Sequence, residues 1–159
     1  MGIGGGSKFT LEKTWRASGV GTTKFNSPGN IAIPYGRNSI LVSGQGGTGT
    51  ALIPGFAIRD IGLLQSSAAR PQTSVYGKDA YKTFPIKAAA LMHSLARNHC
   101  LVDGNKRLAW AGTRVFCLMN GFDLVMSIDD AEELVQATAQ GKLDVPALSV
   151  QLTKHLKKA

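Results

Sequence analysis

Cysteine, acidic residues and long apolar runs are all scarce in this chain, and each scarcity excludes a class of protein. The two cysteines, Cys100 and Cys117, are too few for the disulfide framework of a small secreted domain. No apolar run approaches the ~20 residues that cross a membrane, and residues 1–7 lack the charged start and apolar centre of a signal peptide. We therefore expect a cytoplasmic protein with free thiols and no membrane partner.

The shortage of acidic residues leaves a strong positive charge. Ten Asp and Glu residues stand against eighteen Lys and Arg, which gives a formal net charge of +8. This balance suits nucleotide phosphates, an acidic protein or nucleic acid as a partner. No recognition helix, zinc finger or RNA-binding signature accompanies the charge, so direct nucleic-acid binding is the least favoured of the three.

Helical periodicity is missing from residues 1–57, which hold thirteen of the nineteen glycines. Residues 32–34 and 39–43 predict short strands around a turn at residues 35–38, and only residues 9–13 suggest a helix. The segment loosely resembles the glycine-rich repeats of phage tail fibres. We interpret it as a glycine-rich, partly β extension.

A glycine motif in this extension matches the Gly-x-Gly-x-x-Gly pattern of dinucleotide-binding folds, as Gly-Gln-Gly-Gly-Thr-Gly at residues 44–49. In those folds a helix follows the glycines and binds the pyrophosphate at its N-terminus. Here Pro54 and Gly55 interrupt any such helix, and no second strand with an acidic ribose partner follows at the expected distance. We therefore favour a flexible linker at this position.

The pattern becomes helical from residue 58 onward. Apolar residues at three- and four-residue spacing predict a helix over residues 86–98 and another over residues 105–119, which Asn120-Gly121 ends. A capping box at residues 127–130 opens a third helix, and Asp144-Val145-Pro146 opens a fourth. The side chains expected on the outer side of the first of these helices are Lys87, Ser94 and Arg97.

The loop between the first two predicted helices is dense in reactive side chains, reading His-Cys-Leu-Val-Asp-Gly-Asn-Lys-Arg over residues 99–107. His99 can accept a proton near neutral pH, and Asp103 offers the hard oxygen ligand that Mg²⁺ prefers. The residues after Asp103 open a helix, where unpaired N–H groups and the macrodipole favour an anion. These candidate phosphate-binding residues are Gly104, Asn105, Lys106 and Arg107. The combination predicts phosphoryl transfer from a nucleotide.

The spacing His-x-x-x-Asp-Gly-Asn-Lys-Arg resembles the signature of the Fic/Doc superfamily. With a lysine at position 106 the motif resembles that of the death-on-curing (Doc) toxin branch, since the adenylylating Fic branch usually has glycine at this position. The resemblance covers roughly residues 58–156, and one position departs from it, because the family commonly has Phe where this chain has Leu101. It implies a mainly α, Fic/Doc-like catalytic domain over residues 58–159, preceded by the extension at residues 1–57.

Carried over by position, the resemblance implies that His99 deprotonates a target hydroxyl and that Asp103 holds Mg²⁺ against the phosphates of ATP. Asn105, Lys106 and Arg107 would bind those phosphates. Doc-type enzymes transfer the γ-phosphoryl group of ATP to a threonine of elongation factor Tu and so arrest translation. The resemblance also implies a cognate antitoxin that blocks the site in trans.

The same resemblance extends to residues 76–85, which precede the first predicted helix. It implies a flap, a short hairpin that aligns the main chain of the target protein across the active site. The residues of this target-docking flap are Tyr76, Gly77, Lys78, Asp79, Ala80 and Tyr81. The alternative is a surface loop in which Tyr76, Tyr81 and Phe84 pack on the core.

Two other functions stay open on sequence grounds. The first is AMP transfer, which labelled ATP would distinguish from phosphoryl transfer. The second is a catalytically inactive binding module. A metal site shared by His93 and His99 is disfavoured, because six-residue spacing places the two side chains on different helix faces.

Overall fold

The computed structural model describes residues 31–32, 39–44, 47–52 and 59–159. Five α-helices dominate this part of the chain: α1 (Ile61–Ala69), α2 (Phe84–Arg97), α3 (Asn105–Met119), α4 (Ile128–Ala139) and α5 (Val145–His155). A short 3-10 helix, Arg70–Gln72, extends α1. The prediction of a mainly α fold is therefore confirmed, and none of the described helices is long and apolar enough to cross a bilayer.

The described part of the extension is a small antiparallel sheet of three strands, β1 (Ile31–Ala32), β2 (Ser39–Gly44) and β3 (Gly47–Leu52), in the order β1-β2-β3. Gly44 pairs with Gly47, so β2 and β3 form a hairpin. The glycine motif therefore leads into a strand and not into a helix, which agrees with the rejection of a dinucleotide-binding fold, but the flexible linker that we favoured is wrong. The predicted turn at residues 35–38 and helix at residues 9–13 lie outside the described residues.

Local capping sets the helix ends, as the sequence predicted. The carboxylate of Asp144 accepts from the N–H of Ala147 and opens α5, and the hydroxyl of Ser127 does the same for α4 through Asp130. Gly121 and Gly141 have φ of 84° and 79°, the left-handed conformation that glycine adopts at lowest cost and that ends a helix.

The core is built around α2, which packs against each of the other four helices. Ala88, Ala89 and Ala90 are fully buried and their small side chains allow this close approach. Leu91 and Leu95 are also fully buried, and burying each leucine contributes about 2 kcal/mol.

Two residues of α2 that we expected on its outer side are buried. The ammonium of Lys87 donates to the carbonyl of Pro71 and to the carboxylate of Asp79, each at 3.2 Å. The Ser94 hydroxyl accepts from Arg70 at 2.8 Å. The expectation was wrong because the 3-10 helix lies over this side of α2, a packing that helical periodicity cannot report. Arg97 is exposed, as expected.

Two further pairs of strands complete the described fold. The strands β4 (Ser74–Val75) and β5 (Lys78–Asp79) form a hairpin between the 3-10 helix and α2, while β6 (Phe122–Leu124) pairs antiparallel with β7 (Leu156–Lys158).

Candidate active site

A cavity of about 420 Å³ opens between the loop that joins α2 to α3, the first turn of α3, and one face of α4. The sequence-predicted residues among its lining are His99, Asp103, Gly104, Asn105, Lys106 and Arg107. The structure thus brings the predicted base, metal ligand and phosphate-binding residues to one site.

His99 is exposed at the cavity and has a φ of 49°, in the left-handed region. A non-glycine residue in this conformation costs on the order of 1–3 kcal/mol and persists only where its surroundings hold it. The surroundings here are Arg59 and Asp60: Arg59 Nε donates to the carbonyl of His99 at 2.6 Å, and the N–H groups of Arg59 and Asp60 both donate to the carbonyl of Cys100. The hydrogen bonds that hold the loop backbone therefore also set the position of the imidazole.

Asn105 uses its side chain to shape the same loop. Its Oδ1 accepts from the N–H of Leu101 at 2.9 Å, and its Nδ2 donates to the carbonyl of Leu101 at 3.0 Å. Leu101 is buried, so it anchors the loop in the core although it is smaller than the phenylalanine of the resembling family. With its amide engaged in this way, Asn105 offers an anion its backbone N–H.

The first turn of α3 is open to an anion. Gly104 is the N-cap, with φ 90°, and has no side chain to accept from the helix. No described residue accepts from the N–H groups of Asn105, Lys106 and Arg107. These three donors and the positive end of the helix dipole, together with two cationic side chains, favour a phosphate at this position.

Asp103 is exposed beside this anion site. One oxygen, Oδ1, accepts from the N–H of Gly104 at 2.9 Å, and the second oxygen remains available. The described residues contain no cluster of three or more His, Cys, Asp or Glu that could hold a metal by itself. This arrangement fits Mg²⁺, which commonly binds through one or two carboxylates and completes its shell with substrate phosphates and water.

The opposite wall of the cavity is α4, which our sequence reasoning missed. Glu132, Gln136 and Gln140 line it at four-residue spacing, and Lys106 Nζ donates across the cavity to Gln136 Oε1 at 2.7 Å. The four-residue spacing of polar residues along α4 was the sequence signal that could have indicated this polar wall. That this face meets the first turn of α3 depends on tertiary packing.

The flap residues form a hairpin that lies apart from the cavity lining. Tyr76 and Gly77 have φ of 51° and 74°, as a two-residue turn of type I′ requires, and the paired strands run from Ser74 to Asp79. Tyr81 and Phe84 pack against the core, as the alternative of a surface loop predicted, but Tyr76 is fully exposed, so that alternative is wrong for Tyr76. The carboxylate of Asp79 forms an ion pair with Lys87 and so connects the hairpin to α2. No flap residue lines the cavity.

His93 lies outside the site, within a separate hydrogen-bond network. Arg70 Nη1 donates to His93 Nδ1 at 3.0 Å, and since arginine can only donate, the imidazole must accept there in its neutral form. Burial is the main cause that lowers the pKa of His93 below its ordinary value of 6.5, and the nearby Arg70 and Arg97 lower it further against an opposing effect of Asp144.

This lowered pKa predicts a stability that depends on pH. Because the folded state prefers neutral His93, its contribution is complete above pH 6.5 and is lost as the pH falls through the lower pKa of the folded protein. We expect the free energy of unfolding, measured by urea denaturation, to decrease between pH 7 and pH 5, and the decrease to be smaller in His93→Gln. An identical pH dependence in the two proteins would contradict this assignment.

The two cysteines are buried and form no disulfide, as expected. Burial raises the pKa of the Cys100 thiol and that of the Cys117 thiol. Both side chains therefore stay protonated and poorly nucleophilic near neutral pH, although Cys100 is next to His99 in the sequence.

The chain is similar in sequence to known proteins. The sequence pattern of the Fic/DOC family matches residues 37–117, a stretch that begins within the segment we assigned to the extension and includes the loop of the site. The toxin Doc of Mycolicibacterium smegmatis is 44% identical over 118 residues, which cover 73% of this chain and 88% of that protein.

Proposed function

This chain belongs to the Fic/Doc family, and we propose that it is a Doc-type toxin of a toxin–antitoxin pair that transfers the γ-phosphoryl group of ATP to a protein hydroxyl. The observation that supports this proposal best is the cavity in which His99, Asp103 and the basic first turn of α3 meet. One group could remove a proton, one could hold a metal and several could bind phosphate, as phosphoryl transfer requires.

His99 acts as the general base in this proposal. As the target hydroxyl attacks the γ-phosphorus, its proton passes to the imidazole, the new oxygen–phosphorus bond forms, and the bond to the bridging oxygen breaks to release ADP. A neutral hydroxyl is a poor nucleophile, and general-base assistance contributes about 10²–10⁴-fold in rate.

The first turn of α3 binds the phosphates. The N–H groups of Asn105, Lys106 and Arg107 donate to phosphate oxygens, while the two side-chain cations neutralise charge that grows as the bridging bond breaks. Asp103 would hold Mg²⁺, which supplies further charge neutralisation on the phosphates when it is bound.

The proposed partners follow from the family. The target is a translation factor, with elongation factor Tu as the first candidate, and the hairpin at residues 74–79 offers open strand edges for its main chain. The relative named above carries the name of a toxin, and we propose that a cognate antitoxin silences this chain by covering the cavity.

The identity of the transferred group is the decisive test. We expect the purified chain, incubated with Mg²⁺, ATP and bacterial elongation factor Tu, to add a phosphoryl group to the factor and, when expressed in bacteria, to stop growth. Lys106→Gly should lose most of this transfer, because it removes a cation from the phosphate site. Intact-mass measurement of the target reads the outcome, since phosphate and AMP adducts differ greatly in mass.

Matched variants make this test sharper. Lys106→Met removes the charge without the cost of about 1 kcal/mol that glycine brings to a helix. Lys142→Met removes the charge of an exposed lysine that does not line the cavity. We expect Lys106→Met to behave like Lys106→Gly and Lys142→Met to match the unmodified chain. An AMP adduct would overturn the kinase assignment, and harmless expression with no adduct on any target would favour an inactive binding module.

A further inference from the structure

Three successive carbonyl groups in the loop of the site accept hydrogen bonds from only two residues. Arg59 Nη2 donates to Asn98 O at 3.3 Å and Arg59 Nε donates to His99 O at 2.6 Å. The N–H groups of Arg59 and Asp60 donate to Cys100 O at 2.9 and 3.1 Å. The segment that precedes α1 is therefore hydrogen-bonded to the loop that carries His99, which lies about forty residues later in the chain.

The backbone conformation of His99 explains why these hydrogen bonds matter. Its left-handed φ of 49° is sparsely populated by residues other than glycine, so an unrestrained loop would return to the right-handed region. That change would rotate Cβ about the backbone and carry the imidazole away from its present place in the cavity. Asn105 holds the loop at Cys100 and Leu101, since its Oδ1 accepts from the Cys100 thiol at 3.9 Å and its side-chain amide pairs with the backbone of Leu101. Within the described residues, Arg59 is the one side chain that donates to the carbonyl of His99.

We propose that Arg59 is a positioning residue for His99, which keeps the imidazole where it can accept the proton of the target hydroxyl. This inference rests on the proposed function of His99. Arg59 does not line the cavity, so it acts through the loop and contacts neither nucleotide nor target. The nucleotide is bound by the first turn of α3, which Asn105 connects to the loop at Cys100 and Leu101, whereas the Arg59 side chain donates only to the carbonyls of Asn98 and His99.

This division of roles predicts that turnover and nucleotide binding respond differently. In Arg59→Met, kcat for transfer should fall by roughly 10- to 100-fold, since a displacement of about 1 Å from the reactive geometry costs that much. The dissociation constant for ATP, measured by calorimetry, should stay unchanged. Arg59→Lys should recover part of the rate, because an ammonium can donate to one of the two carbonyls that the guanidinium reaches.

A stability-matched control separates positioning from general damage to the fold. Asp144→Ala removes the cap of α5 on a residue that does not line the cavity, so it should lower thermal stability without changing kcat. If Asp144→Ala lowered kcat as much as Arg59→Met at equal loss of stability, the positioning role would be refuted. A loss of ATP affinity in Arg59→Met as large as its loss of kcat would also refute it.

A measurement without turnover distinguishes failure of this inference from failure of the proposed function. The three-bond coupling between the amide and α protons of His99 reports its φ, and we expect it to change from the unmodified chain to Arg59→Met, with exchange broadening of the His99 and Cys100 amide signals. If no target is modified but the coupling changes, the proposed function fails while the role of Arg59 in the loop stands. If the coupling and signals of His99 are the same in both proteins, the inference is overturned whatever the activity.

Discussion

Replacing His99 by asparagine is expected to lower the rate of group transfer by about 10²–10⁴-fold while the fold is retained. Asparagine tolerates the left-handed conformation that His99 adopts, and its amide cannot take up a proton near neutral pH. The variant therefore removes the base without disturbing the loop. His99→Ala should be equally inactive in cells, but it places a β-carbon without a local hydrogen-bonding group in the left-handed region.

The measurements for this variant are transfer rate with purified protein and growth arrest after induction at matched expression. ATP affinity should stay close to that of the unmodified chain, because the proposed phosphate donors belong to the first turn of α3. His155→Asn is the matched control, since it removes a histidine that does not line this cavity. Equal toxicity of the unmodified chain and His99→Asn would show that His99 is not the base.

The largest effect on stability is expected at the ion pair between Arg114 of α3 and Asp123 of β6. Arg114 Nε and Nη2 donate to the two carboxylate oxygens, each at 2.8 Å, and the Arg114 side chain is only 1% exposed. Asp123→Ala removes the carboxylate that neutralises this buried cation. Breaking a buried pair from one side costs about 3–5 kcal/mol, and we expect the lower end because the Asp123 side chain is 23% exposed.

A double variant tests whether the charge itself causes this loss. In Arg114→Met/Asp123→Leu both charges are replaced by apolar groups, so the desolvation cost disappears and much of the stability should return. Urea denaturation followed by circular dichroism measures the free energy of unfolding for the unmodified chain, for Asp123→Ala and for the double variant. A loss below about 1 kcal/mol in Asp123→Ala, typical of an exposed pair, would contradict the assignment.

The sequence alone determined four of the five described helices, α2 to α5, and the chemistry of the loop, whereas α1 was not predicted. Predicted bounds for α3 agree with the observed Asn105–Met119, and the caps at Ser127, Asp144 and Gly141 lie where the residue types indicated. These features depend on interactions within a few residues of each other, which periodicity and capping patterns report directly. The motif at residues 99–107 carried the family resemblance because its members are close together in the chain.

Local patterns failed where an interaction partner came from elsewhere in the chain. The glycine motif at residues 44–49 became part of a hairpin because β2 and β3 pair along their whole length. Lys87 had the spacing of an exposed helix position, yet Asp79 and the carbonyl of Pro71 bind its ammonium in a buried setting. In both cases tertiary or strand pairing overrode the local signal.

The arrangement of the site was decided by tertiary structure alone. Arg59 reaches His99 across 40 residues and Lys106 reaches Gln136 across 30, and no local pattern contains both partners of either contact. Each contact exists because packing around α2 brings the start of α1 and the polar face of α4 against the same loop. The sequence could therefore name the reactive groups, while only the packed helices hold His99 in its left-handed conformation and set where the cation of Lys106 stands.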